Sequence, residues 1–75
     1  MKFTLYFANF ATGEVVTAHR VAKSARHAVN NFRRHMRATD TLNSGDTYAI
    51  VTYTGWRDMS HLPGSLWEAP RYTAK

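Results

Sequence analysis

Between residues 20 and 39 the chain reads RVAKSARHAVNNFRRHMRAT, with six arginines and lysines, two histidines and no acid. The chemistry such a stretch suits is contact with an anion. On a helical wheel Arg26, Asn30, Arg33 and Arg37 fall within about 60° of arc. Arg34 and His27 extend that face away from the core, Lys23 stands just ahead of it, and Arg20 closes the preceding segment. Arg33 and Arg37 are a like-charge pair four residues apart, which costs an isolated helix a few tenths of a kcal/mol. No glutamate relieves it. The stretch uses arginine five times and lysine once, a choice that fits bidentate contacts to phosphate or carboxylate. Arginines are also good helix formers, so a merely solvated face is the plain alternative. Arg20, Lys23, Arg26, Asn30, Arg33, Arg34 and Arg37 are the expected polyanion-binding or partner-binding residues.

Other chemistries find less support. His19, His27, His35 and His61 have no serine, carboxylate or second histidine at a catalytic spacing. His27 and His35 lie too far apart along one helix to share an ion, so His35 is expected to pack beside the apolar stripe and His27 to be solvated. GSLW at 64–67 lacks the frame of a nucleophile elbow. The five acids are scattered, and no glycine-rich phosphate loop occurs. No catalytic residue, metal or cofactor is expected, and the chain reads as a non-enzyme. With no cysteine there is neither a disulfide scaffold nor a thiolate site. That favours a cytoplasmic setting. The N-terminal apolar run, broken at Asn9, lacks the features of a signal peptide, and no stretch is long enough to span a membrane.

Seventy-five residues make at most one domain. KFTLYFANF alternates as a strand, ATG supplies a turn, and EVVTAHRV is a second strand, so residues 2–21 read as a hairpin. Its register is open by one residue: either Val15, Thr17, His19 and Val21 face inward, or Val16 and Ala18 do. Ser24 suits the N-cap of a helix. Ala25, Ala28, Val29, Phe32 and Met36 then form one apolar stripe, ending near Ala38 or Thr39. TDTLNSGD is a polar loop and TYAIVTYTGW a third strand, whose alternation does not choose a face. The reading is an α+β fold, β-β-α-β, with a three-stranded antiparallel sheet, strand 3 beside strand 1, and the helix across one face.

Residues 1–58 form that domain, and 59–75 are an irregular tail folding back through Leu62, Leu66 and Trp67, its last residues frayed. The chain has more aromatic residues than one helix can cover. Tyr6, Tyr53 and Trp56 are therefore candidate contacts for bases or a partner, unless the tail covers them as a second small core.

Val21, Ala22, Ser24 and Ala28 fill a pattern in which a strand ends at an apolar residue and a small residue and serine open a helix. With the β-β-α-β order this resembles small phage proteins that disable host machinery, among them an inhibitor of bacterial RNA polymerase and several anti-CRISPR proteins. The resemblance is one of topology over residues 3–54 and implies a protein that binds and obstructs. That polymerase inhibitor's helix is acidic where this one is basic, so its contact residues do not carry over.

Ten basic residues against five acids leave a net charge of +5, and residues 15–39 hold no acid at all. The first expectation is a small binding module whose basic helix contacts nucleic acid with little sequence specificity. The second is a phage-derived inhibitor, acting in the host cytoplasm, whose helix plugs an acidic or nucleic-acid-binding groove on a host protein. A third is an assembly subunit pairing through the edge of strand 2 or strand 3. A monomer or small homo-oligomer, with no membrane contact, fits all three.

Overall fold

A computed structural model describes all 75 residues. Strands β1 (Lys2–Asn9) and β2 (Val15–Val21) form the expected hairpin, closed through Gly13 at φ 80°. A positive φ there is cheap only for glycine. Helix α1 (Ala25–Ala38) follows, then β3 (Thr47–Thr54), a single-turn helix α2 (Ser65–Glu68) and a two-residue strand β4 (Tyr72–Thr73). The sheet is antiparallel with order β2-β1-β3-β4. It therefore has four strands, where alternation in the sequence predicts three. A two-residue strand carries no periodicity to read; it exists because Thr73 and Tyr72 find Thr47 and Tyr48 across the sheet.

The alternating side chains of β1 divide the molecule into two layers of core. Phe3, Leu5 and Phe7 face α1, meeting Ala28, Phe32 and Met36, with Leu42, Tyr48 and Ala74 completing that side. Pairing of Leu5 with Ala18 and Phe7 with Val16 decides the open register of β2: Val16 and Ala18 face the helix. Arg20 shares their face, and His19 points to the other. On the helix side Ser24 caps α1 as expected, its hydroxyl accepting from the His27 amide at 3.2 Å. Ala25 and His35 are exposed, so the buried stripe is narrower than the wheel implies and His35 does not pack against it.

Tyr6, Ala8, Ala49 and Leu66 form the second core on the opposite face, flanked by Phe10, Val51 and Tyr53. The tail makes this layer possible. Leu66 is fully buried, but Leu62 and Trp67 stay exposed. The tail is irregular as expected apart from α2 and β4, and its end is pinned rather than frayed: Ala74 is buried, its amide donates to the Asp46 carbonyl, and its carbonyl accepts from Gly45. No helix is long and apolar enough to cross a membrane.

Candidate polyanion-binding groove

The arginine stripe of α1 does not stand free. It forms one wall of a groove whose floor and far wall come from β3, β4 and the residues after them. Two adjoining recesses make up this groove. One, of roughly 550 Å³, is lined by Asn30, Arg33, Arg34, Arg37, Tyr48, Tyr72, Thr73 and Lys75. The other, of roughly 410 Å³, adds Ala25, Arg26, Val29 and Ile50, and the two share Asn30, Arg33, Tyr48 and Tyr72.

Arg33 is the fixed point of the wall. Its Nη2 donates to Asn30 Oδ1 at 2.7 Å and its Nη1 to the Tyr48 hydroxyl at 3.1 Å. Both partners are neutral, so the positive charge is positioned without being cancelled. A guanidinium has five N–H donors, and these two bonds leave donors for a ligand. Tyr48 is buried, packs against Phe7 at 6.0 Å and carries the ring of Tyr72 at 5.9 Å. Tyr72 itself is 51% exposed. The groove thus sets an aromatic column beside Arg26, Arg33, Arg34, Arg37 and Lys75. No acid lies among its lining residues.

Five of the seven residues expected from the sequence come together here: Arg26, Asn30, Arg33, Arg34 and Arg37. Arg20 and Lys23 line neither recess. The guanidinium of Arg20, on edge strand β2, lies 5.6 Å from the ring centroid of Phe32 and donates to the His19 carbonyl. Its strand is separated by β1 from the β3–β4 side that forms the groove. Besides the apolar Ala25, Val29 and Ile50, the lining residues that sequence reasoning did not place at a site are Tyr48, Tyr72, Thr73 and Lys75. Three of them lie in the tail, and the one local signal was the β-prone Tyr-Thr pair after Pro70.

The expected aromatic contacts fall elsewhere. Tyr6 is only 3% exposed, sealed under the tail with its hydroxyl donating to the Asp58 carbonyl, so its ring has no face to offer. Tyr53 is half-buried on the same side, hydrogen-bonded to Ser65 and covered by the Arg57 guanidinium at 4.1 Å. Trp56 is 55% exposed but stacks on His19 across the sheet from α1, with Lys2 Nζ 4.4 Å from its ring centroid. These three belong to the opposite face and do not share the groove. No three histidine or acidic side chains converge to hold a metal ion.

No protein-family model, curated protein or solved structure matches this chain.

Proposed function

We propose that this protein is a small binding module whose α1–β4 groove contacts nucleic acid through phosphates, with little sequence specificity. The observation that carries the reading is the concentration of five cationic side chains around one groove with no acid in its lining. Basic residues gathered on one surface are the electrostatic footprint of phosphate contact. None of them is arranged as a base-reading element, so affinity without strong sequence preference is the expectation.

Counterion release makes the idea testable. If four guanidinium or ammonium groups each meet a phosphate of a single strand, log K falls against log salt with a slope of about −3. Arg34 and Arg37 are exposed, so reversing both charges leaves the core intact. The variant Arg34→Glu/Arg37→Glu is expected to lose more than tenfold in affinity at low salt and to show a slope shallower by about 1–2. Binding that ignores salt, or that survives this double reversal, would rule the groove out.

The second reading, a phage-derived inhibitor that blocks a host protein, draws on the same guanidiniums, which pair with carboxylates as well as with phosphates. Purification from cells at low salt separates the two. Bound nucleic acid displaced by salt favours the first, and a stoichiometric host protein with no nucleic acid favours the second.

A further inference from the structure

Duplex and single strand make different demands on a basic helix. To read a duplex, a helix enters a major groove about 12 Å wide with its contact side chains leading. Here the contact side of α1 looks along the sheet toward β4, so Tyr72, Thr73 and Lys75 face the arginines across the recess. A recess walled on its far side by Tyr72, Thr73 and Lys75 suits a thin strand better than a duplex, whose major groove needs an unobstructed helix. Along the helix the arginines run from residue 26 to residue 37, about 16 Å at 1.5 Å per residue. That length suits a few nucleotides.

The far wall supplies what a single strand uses besides charge. Nucleic acid that is unpaired binds by laying bases on aromatic faces while cations track its backbone. Tyr72 has the attributes of such a face. Its ring is half-exposed and rests on Tyr48, which is held from behind by Phe7 and at its hydroxyl by Arg33. The edge strand that carries it is pinned to its neighbour, by pairing of Tyr72 with Tyr48 and by the bonds of Ala74 to Gly45 and Asp46 just ahead of β3. A ring so supported loses little freedom when a base stacks on it.

We infer that the groove selects single-stranded over double-stranded nucleic acid, stacking one base on Tyr72 while Arg34, Arg37 and Lys75 hold the neighbouring phosphates. This rests on the polyanion reading of the same groove and adds to it the form of the nucleic acid and the residue that recognises it.

The test compares a fluorescently labelled thymidine strand of about 12 nucleotides with a duplex of the same length, by anisotropy at one low salt concentration, a span within the site sizes of single-strand binders. Poly-glutamate serves as the acidic polypeptide control. The wild type is expected to bind the single strand at least tenfold more tightly than the duplex or poly-glutamate. Tyr72→Ala is expected to weaken single-strand binding by roughly 5- to 100-fold, the worth of one base–aromatic stack, and Tyr72→Phe to retain it. Circular dichroism establishes that the variants are folded. Equal or tighter binding of the duplex or of poly-glutamate overturns the inference. So does a folded Tyr72→Ala with wild-type affinity; if Arg34→Glu/Arg37→Glu still abolishes binding, the groove stands as a polyanion site without single-strand selectivity. If neither nucleic acid binds, the polyanion reading itself has failed and the inference falls with it.

Discussion

Arg33 performs two tasks that are usually divided between residues. Its bond to Tyr48 ties the helix to the sheet and its bond to Asn30, one turn back on the same helix, orients the guanidinium, while the charge it keeps faces the groove. Asn9 plays the purely structural counterpart. It is buried, its oxygen accepts from the amides of Ala11 and Thr12, and its Nδ2 donates to the Thr41 carbonyl and to Asp46. One side chain thereby fastens the hairpin turn to the loop after α1. That loop begins with a residue under strain. Asp40 has φ 59°, in the left-handed region, where it closes the helix by donating to the Arg37 carbonyl while the Thr41 amide reaches back to Met36. Glycine pays no Cβ penalty there, and an acid beside a helix C-terminus opposes the macrodipole. Asp40→Gly is expected to stabilise the fold by about 1 kcal/mol and raise Tm by several degrees in a thermal melt. A lower Tm would mean that the side chain of Asp40 contributes more than its backbone costs.

Among the elements, the ones contributed by the tail matter out of proportion to their length. Helix α2 spans four residues and could not persist alone, since isolated short helices are unstable in water. Leu66 anchors it by filling the space between α2 and the face of the sheet formed by Tyr6, Ala8 and Ala49. Trp67 is 47% exposed and meets Phe10 edge-on at 6.2 Å. Size alone would rank the tryptophan first; burial reverses the order. Leu66→Ala is expected to cost about 2–5 kcal/mol by leaving a cavity, and Trp67→Ala about 1 kcal/mol. Urea unfolding at neutral pH measures both, and equal costs would contradict the second core. Strand β4 extends the same tail onto the opposite side of the molecule, where Ala74 joins the first core and Tyr72 lines the groove.

At the scale of the whole molecule the notable property is the separation of charge. The groove gathers cations, while Asp46 and Asp58 are engaged in structural hydrogen bonds within loops. The Asn43 amide, and then the Asn9 side chain, hold the Asp46 carboxyl below its ordinary 3.8. The amide and side chain of Ser60 do the same for Asp58, with a smaller contribution from His61. A carboxyl whose folded pKa is depressed binds fewer protons folded than unfolded, so its contribution to stability is complete above the unfolded value and lost as pH falls through the folded one. The urea midpoint is therefore expected to drop as pH is lowered below about 4. Asp46→Asn should make that decline shallower. An acid limb of unchanged steepness in this variant would show that Asp46 contributes nothing to it.

Features that depend on neighbours along the chain were legible without coordinates. Period-two alternation marked β1 and the hairpin, Ser24 marked the start of α1, and 3.6-residue spacing separated Ala28, Phe32 and Met36 from the arginine stripe. Such signals are local because the geometry of a strand or helix repeats every few residues. Features that depend on contacts distant in sequence were not legible in this way. The register of β2 was ambiguous because valine suits either face, and pairing with β1 resolved it. β4 was invisible because two residues have no period. The groove was half legible: its arginine wall follows from the helical wheel, but Tyr72 and Lys75 reach it only because the tail returns to pair with β3. Charge composition pointed to an anion. Packing set the arginine stripe against an aromatic wall in a cleft rather than on an open helix face.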